Sequence, residues 1–178
     1  MYKFITFLFL IAAILGYALF SFYGAYAECY ESSLQVKYSY DELKTESESL
    51  ALVSVKVGTL ALKYLPNARP YVNKLEKSSE MIQVTDSVST LAKSCALLYS
   101  TIKQLLQQLN ENINAKRDYH LKDAELQFNK ISRDIKITTK KYNIAAKKYN
   151  ETLNKPSPQF WDFLLRNKPA EFFTVSKK

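Results

Sequence analysis

The chain begins with an apolar segment that is long enough to cross a membrane. No charged residue lies between Lys3 and Glu28, and a helix of that length extends about 36 Å at ~1.5 Å per residue. Because a bilayer core is about 30 Å thick, residues 1–27 are predicted to form a transmembrane helix. Lys3 precedes the segment and Glu28 and Glu31 follow it, so the positive-inside rule places the N-terminus in the cytoplasm and the body outside.

The same segment has a second interpretation as a signal peptide. Ala25, Tyr26 and Ala27 form the small-x-small pattern at which signal peptidase cuts. Cleavage after Ala27 would release a secreted or periplasmic protein. The run is long for a signal peptide, and it carries Phe20 and Phe22 where such a segment usually becomes polar. These features favour retention as an anchor.

Beyond this segment, apolar positions recur in steps of three and four, the spacing of a buried stripe on a long helix. The first helix carries the stripe at Leu50, Val53, Val57, Leu60 and Tyr64. The second carries it at Met81, Val84, Val88, Leu91, Cys95, Leu98, Ile102, Leu105 and Leu109. The third carries it at Leu121, Ala124, Phe128, Ile131, Ile135, Thr138, Tyr142, Ala145 and Tyr149. The pattern predicts three long helices, the first continuous with the apolar segment.

Few residues can interrupt these helices. Pro66 and Pro70 must break the first one, because proline lacks an amide donor and restricts the residue before it. Poor helix formers and a charge cluster predict a turn at 116–120. Pro156 follows the third helix. We therefore expect helix ends near these positions.

Together these features predict an all-α fold. An N-terminal transmembrane helix would lead into an elongated antiparallel bundle of three long helices over 28–155, and an aromatic C-terminal segment over 156–178 would cap it. The second helix, over 71–115, would descend about 68 Å after an ascent of about 57 Å. The turn after it would therefore lie against the lipid headgroups, and the aromatic segment would pack at the far tip, near Pro66 and Pro70.

The positive charge is concentrated at one end of the sequence. The formal net charge is +8, and the excess lies beyond residue 115. Five cations share two adjacent heptad positions of the third helix and form a basic stripe: Arg133, Lys140, Lys141, Lys147 and Lys148. The stripe either binds an anionic surface or is a solvated face balanced by acids such as Glu42, Glu46 and Glu48. Nucleic acid is not expected as a partner of an exported body.

A short repeat near the end of the third helix is more specific than the heptad pattern. Tyr142-Asn143 recurs seven residues later as Tyr149-Asn150. We expect the tyrosines to fill the stripe and the asparagines to bridge to a neighbouring helix. A ligand groove lined by the aromatic rings is the alternative.

The part of the chain that contains this repeat, residues 119–173, resembles the LemA family of bacterial membrane proteins. In that family the last long helix ends in paired Tyr-Asn dipeptides, followed by a proline and a short aromatic terminus. The corresponding residues here are Pro156, Phe160, Trp161, Phe172 and Phe173. The resemblance implies a membrane-anchored antiparallel helical bundle without known catalytic residues.

Candidate chemistry is sparse. One histidine and two cysteines exclude a zinc site built from Cys and His ligands. The sequence has no glycine-rich phosphate loop and no Gly-x-Ser-x-Gly motif, so we expect neither catalysis nor a cofactor. Cys95 lies in the buried stripe, whereas Cys29 follows the apolar segment and is expected to be the reactive thiol.

Two functional classes follow from these patterns. The first is a membrane-anchored scaffold that binds partner proteins or further copies of itself in a bacterial envelope. The second is a secreted helical protein, released after Ala27, that binds an anionic surface or partner.

Overall fold

The computed structural model describes residues 2–155 and 168–174, with side chains from residue 5 onward. Within these ranges the chain forms five helices and no strand. The helices are α1 (Tyr2–Tyr64), α2 (Arg69–Val84), α3 (Val88–Glu111), α4 (Ile113–Lys116) and α5 (Tyr119–Leu153). The predicted all-α class is therefore confirmed for the described residues. Pro156, Phe160 and Trp161 lie outside them.

Helix α1 is a single helix that carries both the apolar N-terminal segment and the first buried stripe. It is long and apolar enough to cross a membrane, and none of its most apolar stretch is buried. Phe9 and Leu19 are about 70% exposed, at 72% and 69%. Further along the same helix, Leu50 and Val57 are buried. The predicted continuity between the apolar segment and the first helix is confirmed.

The helix breaks predicted from proline are confirmed. Helix α1 ends at Tyr64, before Pro66, and Pro70 lies in the first turn of α2. A missing amide proton costs nothing there, because the first amides of a helix have no partner within it. Helix α5 ends at Leu153. The third predicted break is a short connection that contains α4.

The continuous second helix predicted over 71–115 is wrong. Thr85 and Ser87 adopt extended backbone angles and separate α2 from α3. The Ser87 hydroxyl accepts a hydrogen bond from the amide of Thr90 at 3.3 Å, and the Thr85 hydroxyl accepts one from the Ser87 amide at 3.1 Å. Short hydroxyl side chains favour such turns and helix N-caps because they satisfy amides that the helix leaves unpaired.

This additional turn reverses the chain once more than the sequence predicted. Gln104 of α3 donates a hydrogen bond to the hydroxyl of Tyr71 in α2 at 3.2 Å, so α3 returns along α2. After α3, Asn112 donates to the backbone carbonyl of Tyr64 at 3.0 Å. The turn before α5 therefore lies at the C-terminal end of α1. Its predicted position against the headgroups, beside the apolar segment, is wrong.

The described residues form two compact units. The larger unit contains residues 39–143 and 171–174. Its large, fully buried side chains come from α1, α2, α3, α5 and the C-terminal segment: Leu43, Leu50, Val57, Leu75, Ile82, Leu91, Leu98, Ile102, Leu105, Leu109, Tyr142 and Phe173. The predicted stripes are confirmed from Leu91 to Leu109, but Met81 and Val84 are exposed. Their prediction as buried residues depended on a helix that continues through residues 85–87, and the helix is broken there.

The smaller unit contains residues 2–38, 144–155 and 168–170. Its core is a cluster of Cys29, Tyr149 and Leu153, with Val36 and Ala170 packed against it. Burial of these apolar groups joins the middle of α1 to the end of α5 within this unit.

Side chains of α1 and α5 form a series of polar contacts, here called the α1–α5 ladder. In the larger unit, Lys141 contacts Glu42 at 2.7 Å, and Lys56 donates to Gln127 at 2.8 Å. In the smaller unit, Lys148 donates to Gln35 at 3.4 Å, and Lys155 contacts Glu28. Contacts that advance by whole heptads on both helices indicate a constant register in each unit.

Candidate functional site

The Tyr-Asn repeat lies on the last four turns of α5. Tyr142 and Tyr149 are buried, at 2% and 8% exposure, as the heptad pattern predicted. Asn143 and Asn150 follow them in the chain and are half-buried. A residue next to a buried position lies at the edge of the buried face, since successive residues are about 100° apart on a helix. Each asparagine amide is therefore available to a chain that runs along that edge.

In the larger unit, Asn143 binds the backbone of Phe173 through two hydrogen bonds. Its Nδ2 donates to the Phe173 carbonyl at 3.0 Å, and its Oδ1 accepts from the Phe173 amide at 2.9 Å. A primary amide has an NH2 donor next to a carbonyl acceptor. One asparagine side chain can therefore pair with both the backbone carbonyl and the backbone amide of one residue. This contact is called the Asn143 clamp.

In the smaller unit, Asn150 makes the same pair of contacts with Ala170. Nδ2 donates to the Ala170 carbonyl at 2.9 Å, and Oδ1 accepts from the Ala170 amide at 2.8 Å. This contact is called the Asn150 clamp. Seven helical residues rise about 10.5 Å, and three extended residues span about 10 Å. The heptad spacing of the asparagines therefore suits clamped residues that are three apart in an extended chain.

Tyr142 adds a hydrogen bond to the Asn143 clamp. Its hydroxyl donates to the Glu171 carbonyl at 2.7 Å, and its ring lies 6.1 Å from that of Tyr40. Burial, followed by the nearby Glu171 carboxylate, raises the pKa of Tyr142 to about 12. The side chain of Phe173 is 1% exposed. The C-terminal segment is thus held by backbone hydrogen bonds and by a buried ring.

These contacts correct two predictions. The asparagines bind the C-terminal segment and not a neighbouring helix. Within the larger unit, Phe173 packs beside Asn143 of α5 and not at the tip near Pro66 and Pro70. Phe173 is buried, but Phe172 is 47% exposed. The predicted ligand groove would be occupied here by the chain's own backbone.

The two cysteines are both buried, at 4% for Cys29 and 3% for Cys95. Burial raises the pKa of the Cys95 thiol to about 11, against a smaller opposing effect of a hydrogen bond with Ser47. The prediction that Cys95 lies in the buried stripe is confirmed. The expectation that Cys29 is the reactive thiol is wrong, because Tyr149 and Leu153 cover it and only an accessible thiolate reacts readily.

The basic stripe divides into two rows. Lys141 and Lys148 belong to the α1–α5 ladder and contact Glu42 and Gln35. The outer row, Arg133, Lys140 and Lys147, is exposed. Within it, Lys147 contacts Glu151 of the same helix at 3.7 Å, which is a weak surface pair. The ladder agrees with the interpretation that acids of a neighbouring helix balance part of the stripe.

A polar cluster that was not predicted from the sequence lies at the end of α1. Asp118 accepts hydrogen bonds from the Tyr64 hydroxyl at 2.7 Å, the His120 amide at 2.9 Å and Lys63 Nζ at 3.1 Å. These bonds, that of Tyr64 first, lower the pKa of Asp118 to about 2. Asn112 caps α4 by accepting from two of its amides. An Asp or Asn directly before a helix start is the sequence signal that identifies such residues.

Within the described part of the chain, no group of three or more His, Cys, Asp or Glu side chains could hold a metal ion. What the Tyr-Asn site can do is bind extended backbone: its amides and hydroxyl pair with peptide groups. No protein-family model matches the sequence, and no curated protein matches it.

Proposed function

We propose that this protein is a membrane-anchored, non-catalytic helical-bundle protein that serves as an interaction scaffold in a bacterial envelope. It would be an antiparallel bundle of the LemA type, in which the α2–α3 hairpin replaces a single second helix. The C-terminal aromatic segment would pack along α5. The N-terminus would be cytoplasmic and the bundle extracytoplasmic, because Lys3 and Glu28 flank the apolar segment.

The observation that carries this proposal is the unbroken course of α1. One helix contains an exposed apolar stretch of membrane-spanning length and, after it, the buried stripe of the larger unit. Exposed Phe and Leu side chains over so many turns are unfavourable in water and favourable in lipid. In a soluble protein, these exposed apolar side chains would contribute nothing to stability.

The helical backbone at the possible cleavage site supports retention of the anchor. Ala27 and Glu28 are exposed, but Ala25 and Cys29 on either side of them are buried, at 5% and 4% exposure. Both lie in the middle of α1. A protease reaches backbone in such a position only after local unfolding. Cleavage after Ala27 in the folded chain is therefore disfavoured, although it remains the basis of the secreted alternative.

Two of the residues behind the LemA resemblance, Asn143 and Phe173, contact each other, which supports the resemblance. Asn150, also part of the repeat, binds the nearby Ala170. The Tyr-Asn repeat and the aromatic C-terminal segment would then have one common role, which is to hold the C-terminal segment on α5. A role in holding backbone also favours binding over catalysis.

Intact mass and membrane fractionation test the proposal. We expect the chain isolated from cells to keep residues 1–27 and to stay in the membrane pellet after an alkaline wash. A mass that begins at Glu28, with the protein in the soluble fraction, would establish the secreted alternative.

Topology is tested with a membrane-impermeant maleimide. Lys103 is exposed on α3, whereas Leu105 on the same helix is fully buried. Lys103→Cys should label in intact cells, and Leu105→Cys, the matched control, should label only after denaturation. Labelling of Lys103→Cys only after permeabilisation would reverse the proposed orientation.

A further inference from the structure

We propose that two copies of this protein pair side by side, with the outward face of α1 in each copy against the outward face of α5 in the other. The pairing deepens the scaffold proposal and rests on it in one respect: anchoring in one membrane gives both copies the same direction. Two exposed stripes of the larger unit, opposite in charge and matched in height, support the pairing.

The outward face of α1 has a regular apolar and acidic stripe. Its exposed positions step by three and four: Asp41, Thr45, Glu48, Leu52, Val55, Thr59 and Leu62. Leu52, Val55 and Leu62 are 68%, 63% and 47% exposed. This stripe is separate from the buried stripe of the same helix, which includes Leu50 and Val57. A single exposed leucine is ordinary, but a periodic row indicates a contact surface.

The outward face of α5 has a matching apolar and basic stripe. The exposed positions, again three or four apart, are Leu126, Lys130, Arg133, Ile137 and Lys140. Leu126 and Ile137 are 63% and 53% exposed. Tyr119, seven residues before Leu126, is 76% exposed and continues the row. Heptad-spaced apolar positions with interspersed charges are typical of a helix that packs against another helix.

The α1–α5 ladder determines which residues of the two stripes lie at the same height. In the larger unit, Glu42 contacts Lys141, and Lys56 contacts Gln127. From one pair to the other, the residue number rises on α1 by as much as it falls on α5. One antiparallel register therefore holds along the two helices. By this register, Asp41 lies within two residues of the height of Lys140. The same offset relates Glu48 to Arg133, Val55 to Leu126, and Leu62 to Tyr119.

A two-fold axis parallel to the helices preserves these heights. Rotation by 180° about it places α1 of one copy opposite α5 of the other, twice, as an isologous contact requires. In these four pairs acids oppose cations and apolar or aromatic residues oppose each other, each within about 3 Å along the axis. Between them, Leu52 faces Lys130 and Thr45 faces Ile137, where the aliphatic stem of the lysine and the methyl group of the threonine can pack on the apolar partner. Pairing α1 with α1 would instead bring Asp41 and Glu48 against like charges. The Lys141–Glu42 pair lies between the stripes and is neutral.

The size of the contact agrees with association in a membrane. Helices are about 10 Å apart, so two adjacent helices present a face about 20 Å wide. The stripes overlap over roughly 20–30 Å, which gives on the order of 500 Å² per copy, at the lower end of specific interfaces. A shared anchor raises the effective concentration of the two copies and favours such a contact.

Crosslinking between differently tagged full-length chains tests the pairing. One chain carries Glu48→Cys and the other carries Arg133→Cys, and both are expressed together and treated with a short bis-maleimide in native membranes. We expect a crosslinked product that contains both tags. The mismatched control, Leu62→Cys with Lys140→Cys, separates the thiols by about 28 Å in height and should give none. Chains with only the buried Cys29 and Cys95 control for background.

Charge exchange tests the chemistry of the contact. With Val55→Cys and Leu126→Cys as the crosslinking pair, Glu48→Arg or Arg133→Glu in both chains should lower the yield about tenfold, because like charges then oppose. Combining the two changes should restore it. Both positions are exposed, so helicity should stay constant, and circular dichroism verifies this.

The outcomes separate this proposal from the proposed function. No product with both tags, equal product from the mismatched pair, or no recovery in the charge-exchanged chain would each overturn the pairing. Membrane fractionation of the same samples reports on anchoring independently. An anchored chain that does not crosslink contradicts the pairing alone, and a released chain contradicts the anchor, while its crosslinks can still be measured.

Discussion

The asparagines of the Tyr-Asn repeat act as substitutes for a neighbouring peptide group. A C-terminal segment that lies along a helix finds no free backbone donors or acceptors, because the helix uses its own. Asn143 and Asn150 supply them, two hydrogen bonds to one residue each. Glutamine is one methylene longer, and aspartate has no donor. The site therefore requires this residue type.

Replacing either asparagine by alanine should destabilise the protein. Asn143→Ala or Asn150→Ala removes two hydrogen bonds, and we expect the free energy of unfolding to fall by about 1–3 kcal/mol, measured by urea titration in detergent. Asn129→Ala is the matched control, since Asn129 is exposed on the same helix and shares the gain in helix propensity. Equal effects at all three positions would contradict the clamps.

Tyr142 gives the stability a dependence on alkaline pH. Its pKa is about 12 in the folded protein, against an ordinary value of 10.0. The folded state therefore holds this proton more tightly, and its contribution to stability, complete below pH 10, is lost as pH rises from 10 to about 12. Tyr142→Phe should reduce the loss of melting temperature over this range. The exposed control Tyr119→Phe should leave the loss as in the wild type.

The ends of the helices determine how the elements connect. Asp118 accepts the amide of His120 at the start of α5 and the hydroxyl of Tyr64 at the end of α1. Asn112 likewise caps α4 and donates to the Tyr64 carbonyl. Each satisfies groups that a helix end leaves unpaired, and each joins two elements. This polar connection fixes the turn before α5 against the end of α1.

Asp118 should make the protein sensitive to acid. Its pKa is about 2 in the folded state, below the ordinary 3.8, so its contribution is present above about pH 4 and is lost as pH falls towards 2. Asp118→Asn should lower the melting temperature at pH 6 and have little further effect at pH 2. Glu111→Gln, an exposed acid near the same turn, is the control. An undiminished effect of Asp118→Asn at pH 2 would exclude the carboxylate's role.

In the proposed anchored protein, the apolar segment and the larger unit would have separate sources of stability. The apolar stretch of α1 would be stabilised by lipid, whereas the larger unit depends on its own core and on the C-terminal segment that binds to it. Phe173 and the Asn143 clamp belong to that unit. Loss of the segment should therefore affect folding and leave membrane attachment intact.

Truncation separates these two properties. A chain that ends after Lys155 lacks the buried Phe173 ring and the clamped backbone, and we expect its free energy of unfolding to fall by at least ~2 kcal/mol. It should still sediment with membranes after an alkaline wash. A chain that ends after Thr174 keeps every contact described above and is the control. Loss of membrane association in the shorter chain would show that the segment takes part in anchoring.

The sequence by itself determined the features that depend on near neighbours. Pro66 and Pro70 end α1 and begin α2 because proline acts on its own turn, and the stripe from Leu91 to Leu109 follows from the helical period. The length of the apolar segment likewise indicates a membrane span without any tertiary information. Thr85 to Ser87 was also readable, as a run of capping residues, but a heptad pattern that continued across it indicated an unbroken helix.

Only the tertiary structure decided the long-range partners. The turn at residues 85–87 reverses the chain, and the next turn therefore lies at the C-terminal end of α1. Missing this one turn in the sequence led to wrong positions for the elements that follow it. The partners of Asn143 and Asn150 lie about 20 to 30 residues away in the chain, and no periodicity specifies them. A helix pattern identifies which face is buried. Which surface covers that face depends on how the connections direct the chain, and on the free energy of the whole packed arrangement.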